Sequence, residues 1–106
     1  MISIVLATYN GERYIVEQLE SILLQTYQNF KIIIVDDNST DNTIKVIKSF
    51  FKIKKFDKYE LYLNEQNLGP TKSFEKGVKH VNTKYIAFCD QDDIWFENKL
   101  ELYIDC

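Results

Sequence analysis

The stretch ISIVLATYNGERYIVEQLESILLQTYQNFKIIIV, residues 2–35, decides the fold, because it reads as strand, helix, strand. Ile2–Thr8 is almost wholly apolar and β-branched, the composition of a strand buried on both faces. Between Tyr14 and Gln25, the residues Ile15, Leu19, Ile22 and Leu23 fall at i, i+4, i+7 and i+8, on one face of a helix. Phe30–Val35 returns to a continuous apolar run and a second buried strand. Two buried strands joined by an amphipathic helix form a parallel β-α-β unit, whose crossover is right-handed.

The same alternation continues outward. After the polar segment 36–42, Asp41 is placed to cap a helix carrying Ile44, Ile47, Phe50 and Phe51. Tyr59–Leu63 reads as a third strand, and Pro70 opens a helix expected to turn Phe74, Val78 and Val81 inward. Tyr85–Cys89 reads as a fourth strand, and a last helix begins near Glu97 with Leu100, Tyr103 and Ile104. With no repeat, low-complexity tract or linker, the expectation is one open, Rossmann-like α/β sheet, mostly parallel, with helices on both faces.

Composition agrees. The 106 residues are 45% hydrophobic and 27% charged, with three glycines and one proline, which excludes a disordered chain. That length suits one domain but is short for a complete α/β enzyme. The net charge of −3 argues against nucleic acid as a partner. The lysines near Lys48–Lys58 read as a solvated helix end. There is no membrane-spanning apolar run and no signal-peptide pattern, and Cys89 and Cys106 make neither a disulfide framework nor a metal spacing. These features point to the cytoplasm and leave room for a peripheral partner at the inner face of the membrane.

Ligands on such sheets bind beyond the carboxyl ends of the strands. Those ends carry Thr8-Tyr9-Asn10, Asp36-Asp37-Asn38, Asn64–Gly69 and Asp90-Gln91-Asp92-Asp93. Three carboxylates within four residues repel one another unless a cation neutralises them, and hard oxygen ligands suit Mg²⁺ or Mn²⁺. A turn before a helix capped by acids would explain them equally well. Asp36 and Asp37 are candidates to accept a hydrogen bond from a base or ribose, or else turn residues. Tyr9 is a candidate to stack on a base, or else an ordinary exposed loop tyrosine. Neither glycine-rich phosphate motif is present, which favours a metal as the phosphate anchor. His80, the only histidine, reads as a solvated residue of a lysine-rich helix, so histidine-assisted nucleophilic catalysis has no base.

Taken in order, Ile2–Asn10, Ser21-Ile22-Leu23-Leu24-Gln25-Thr26-Tyr27, Val35–Asp41, Asn67-Leu68-Gly69 and Cys89–Trp95 resemble the successive motifs of family 2 glycosyltransferases of the GT-A fold. The resemblance covers nearly the whole chain. It implies a nucleotide-diphospho-sugar donor, a glycan acceptor, and transfer with inversion in bacterial surface polysaccharide synthesis. By position it implies that the Ala7 backbone and the Tyr9 ring lie beside the base and that Asp37 hydrogen-bonds it. Lys72 would reach the nucleotide, Asp92 would contact the ribose, and Asp93 would ligate the divalent metal. Asp90 is the less favoured ligand, although Asp90-Gln91-Asp92 spells D-x-D. The form Asp-Gln-Asp-Asp-Ile-Trp is similar to that of rhamnosyltransferase-like members and hints at a deoxysugar.

In this family the general base and the acceptor-binding half come later in the domain. Residues 1–106 are thus expected to be the donor-binding part, with the acceptor-binding half absent and a sheet edge open to self-association. A receiver domain is disfavoured because the acid pairs follow the second and fourth strands. A nucleotidyltransferase is disfavoured because its glycine-rich loop is missing. A non-catalytic scaffold module is the remaining alternative.

Overall fold

The computed structural model of the chain describes residues 1–90 and 94–105, the last three as helical backbone. Its elements are β1 (Ile2–Thr8), α1 (Ile15–Leu23), β2 (Phe30–Asp36), α2 (Thr43–Lys54), β3 (Tyr59–Leu63), α3 (Pro70–Val78), β4 (Tyr85–Cys89) and α4 (Lys99–Asp105). All strand pairs are parallel, in the order β3-β2-β1-β4. β1 is therefore central, with Ile4 beside both Ile32 and Ala87. Chain order reverses on either side of β1, and this reversal opens a crevice at the strand ends.

Side chains alternate across the sheet. Ile2, Ile4, Leu6, Ile32 and Ile34 form one core with Leu19 and Ile22 of α1, Ile47 and Phe51 of α2, and Leu100 of α4. The opposite face meets α3, where a Cβ added at Gly77 would lie 2.5 Å from Val5 Cγ1 and 3.4 Å from Val35 Cγ2. Helices on both faces follow from β1 and β2 being apolar on both sides.

Four expectations change. The inward face of α3 is Ser73 and Gly77, whereas Phe74 and Val81 are half-buried and Val78 is exposed. A glycine lets the helix backbone lie against the sheet, so the larger side chains rotate aside, and Phe74 meets the half-exposed Phe88 of β4 edge-on. Ile44 is only partly buried on α2. Asn42, not Asp41, is the N-cap of α2, and Asp41 instead accepts the Thr43 N–H at 2.9 Å and the Thr43 hydroxyl. His80 lies in the turn after α3, which ends at Val78, with its ring stacked on that of Tyr62 in β3 at 3.7 Å. Cys89 is fully buried at the end of β4. Cys106 and the side chains of Tyr103 and Ile104 lie outside the described residues.

Candidate functional site

The loops after β1 and β2 are knitted together by short polar side chains. Asp36 is fully buried and accepts the Thr8 hydroxyl at 2.7 Å, the Ser39 N–H at 2.8 Å and the Ser39 hydroxyl at 2.7 Å. Asn10 takes a positive φ of 48°, which an asparagine tolerates, and its carbonyl accepts the Thr40 N–H at 2.8 Å. Asp36 is thus a latch between two loops, buried and bonded to Thr8 and Ser39.

Asp37 faces the other way, toward the loop after β3. Its Oδ1 accepts the Asn64 amide at 2.9 Å and the Leu68 N–H at 2.7 Å, and its Oδ2 accepts the Gly69 N–H at 2.9 Å. Gly69 has φ 89°, which glycine adopts at no steric cost, and Pro70 follows as the first residue of α3. Burial pushes the Asp37 carboxyl up, but the Leu68, Asn64, Gly69 and Ser73 hydrogen bonds together bring it below the ordinary 3.8. Asp37 is therefore ionised at neutral pH.

Between these loops lies a cleft of about 430 Å³. Ala7, Thr8 and Tyr9 line it from β1, Asp37 from β2, Asn67, Gly69 and Ser73 from the β3–α3 side, and Asp90 from the end of β4. Of the residues the sequence singled out, Ala7, Tyr9 and Asp37 converge here, with Tyr9 partly exposed. Lys72 is exposed on α3 and is not among the lining residues. Asp92 and Asp93 lie outside the described residues. Among the described residues, no three His, Cys, Asp or Glu side chains cluster as a metal site.

The segment after β4 is held from α1. Gln18 donates to the Asp90 carbonyl, the Ser21 hydroxyl accepts the Trp95 N–H at 3.1 Å, and Gln25 spans the Phe96 carbonyl at 2.7 Å and the Leu100 N–H at 2.9 Å. Gln18 and Ser21 lie on α1 and Gln25 just past its end, and all three are buried polar residues at i, i+3 and i+7. That polar line within an apolar helix was a readable signal of a buried partner, as was the position of Asn64 directly after β3. Ser73 and Lys76, which meet Asn64, had no comparable signal.

A parallel sheet in the order β3-β2-β1-β4, with an acid-bearing cleft at its carboxyl edge, defines an α/β domain of the GT-A type. Residues 3–105 match the family described as Glycosyl transferase family 2, and the chain belongs to that family. Among relatives, it is 37% identical over 106 residues to UDP-Glc:alpha-D-GlcNAc-diphosphoundecaprenol beta-1,3-glucosyltransferase WfgD of Escherichia coli, spanning 98% of this chain and 40% of that protein. It is 40% identical over 109 residues to dTDP-rhamnosyl transferase RfbG of Shigella flexneri, spanning 95% of this chain and 36% of that protein. It superposes on S. aureus TarS 1-349, solved in complex with UDP-GlcNAc, with a TM-score of 0.88 and 29% identity, covering 98% of this chain and 30% of that chain. The chain thus spans 40% or less of these relatives, and only 14% of an uncharacterized glycosyltransferase of Rickettsia bellii.

Proposed function

We propose that the cleft binds a nucleotide-diphospho-sugar, and that residues 1–106 are the donor-binding part of a glycosyltransferase whose acceptor-binding part and general base lie outside them. The observation that carries this reading is Asp37, buried and ionised beside a cleft walled by Ala7 and Tyr9. An ionised carboxylate is acceptor-only, so it suits a base that presents an N–H. The Ala7 backbone and the Tyr9 ring would lie beside that base, and Asp92 would contact the ribose. Lys72 is assigned an outer contact only, since it stands exposed beyond the lining. Relatives whose names specify UDP-glucose and dTDP-rhamnose, and a structural neighbour solved with UDP-GlcNAc, support this class of donor.

Asp93 is the proposed ligand of Mg²⁺ or Mn²⁺. The donor set fits a hard divalent cation, because Asp90 lines the cleft and two more carboxylates follow it in sequence. A cation on the diphosphate would neutralise charge as the leaving group departs. The parent enzyme would transfer the sugar to a glycan acceptor with inversion, in surface polysaccharide synthesis on the cytoplasmic side of the membrane. Among the described residues, no helix is long and apolar enough to cross a membrane.

Thermal stability with UDP, dTDP or GDP, each with and without Mn²⁺, tests the reading, since a ligand held by the folded state raises Tm. A shift that needs nucleotide and metal together is expected, and no shift with any pair would overturn the proposal. Asp93→Asn should abolish the metal-dependent shift, while Asp90→Asn weakens it less. Equal effects would remove the preference for Asp93.

A further inference from the structure

Asp37 is wired to a lysine outside the cleft. Asn64 is buried, its Nδ2 donating to Asp37 Oδ1 at 2.9 Å and to Ser73 Oγ at 3.1 Å, while its Oδ1 accepts from Lys76 Nζ at 2.9 Å. A carboxamide has one accepting and one donating end, and an ammonium can only donate. Lys76 and the ionised Asp37 therefore fix together which way the Asn64 amide points. With its oxygen committed to Lys76, both N–H groups turn toward Asp37 and Ser73. Asp37 Oδ1 then accepts from Asn64 and Leu68 and Oδ2 from Gly69, with the Ser73 hydroxyl a further donor to the carboxylate.

We propose that Lys76 is a positioning residue of the cleft, which acts through Asn64 to hold the ionised Asp37 in place at the cleft wall. The proposal rests on the cleft being a nucleotide site. Lys76 is not among the residues that line it, so its effect on binding passes through the Asn64 amide. Reversing the charge at this position should weaken the hold on Asp37, since a carboxylate at 76 would face the Asn64 oxygen or compete with Asp37 for the Asn64 N–H groups.

The test is titration calorimetry of the full chain with UDP, dTDP and GDP in the presence of Mn²⁺, for wild type, Lys76→Arg, Lys76→Met and Lys76→Glu, with the Tm of each measured without ligand. Lys76→Arg keeps a donor-only group and should bind within about threefold of wild type. Lys76→Met should lose about tenfold, the scale of one hydrogen bond to a charged group, and Lys76→Glu more. A role confined to helix stability would move Tm without separating the affinities of the folded variants. If wild type binds and Lys76→Met and Lys76→Glu bind as tightly, the proposal is overturned while the nucleotide site stands. If wild type binds none of the three nucleotides, the reading of the cleft falls and the proposal with it.

Discussion

Gly77 is the closest approach of α3 to the sheet, and replacing it by alanine tests the packing that sets the helix beside the cleft. The added Cβ would stand 2.5 Å from Val5 Cγ1, about 1 Å short of ordinary carbon–carbon contact. Val5 cannot swing away, because it is fully buried and a β-branched side chain has few χ1 choices. The helix must retreat, at an overpacking cost of about 1–3 kcal/mol. Alanine recovers about 1 kcal/mol of helix propensity, so Gly77→Ala should destabilise by about 1 kcal/mol net. For a domain of this size that lowers Tm by about 4–8 °C. In a Val5→Ala background the obstructing methyl is absent, and the same substitution should be neutral or stabilising by up to about 1 kcal/mol. Urea unfolding of the four proteins, followed by circular dichroism, closes the double-mutant cycle. An identical effect of Gly77→Ala in both backgrounds would show that the clash with Val5 is not what fixes the helix.

Asp37→Asn should cost about 2 kcal/mol at pH 7, because backbone N–H groups that face a carboxylate would then meet an amide. The folded-state pKa of Asp37 lies below 3.8, so its stabilisation is fully present above that value and disappears as pH falls through the folded pKa. Urea midpoints of wild type and variant should therefore converge as the pH is lowered below 3.8, and a constant difference would refute the role given to the charge. Gln25→Ala strands the buried Leu100 N–H and Phe96 carbonyl, at about 1–3 kcal/mol for each group left unsatisfied. Trp95, the single tryptophan and 5% exposed, should report this as a red-shifted emission at low urea, and an unchanged spectrum with unchanged stability would argue against the strap.

β1 and β2 were legible because they are the two inner strands, buried on both faces, and therefore read as apolar runs. The inward face of α3 was not, because apolar periodicity points to Phe74 and Val78, whereas the face against the sheet is set by a small residue at Gly77. In the site, carboxylates after parallel strands announced Asp37, since topology brings strand ends together whatever the loops do. That Asp37 also holds the loop after β3 depends on Asn64, Leu68 and Gly69, residues 27 to 32 positions away. Burial of Gln18, Ser21 and Gln25 was readable, but which groups they meet was not, because those partners lie 71 to 75 residues later.

The buried polar line of α1 has a consequence for the order in which the chain matures on the ribosome. β1, α1 and β2 can associate as soon as they emerge, and domains form from the N-terminus during synthesis at about 5–20 residues per second. Gln18, Ser21 and Gln25 then have no lasting partners until the backbone at Asp90–Leu100 has left the exit tunnel. For several seconds the nascent sheet would expose α1 with hydrated amides where the finished protein has a sealed contact, and β1 with one flank unpaired. A ribosome stalled before residue 90 should accordingly present a protease-sensitive intermediate, and release of the next ten residues should abolish that sensitivity in a single step.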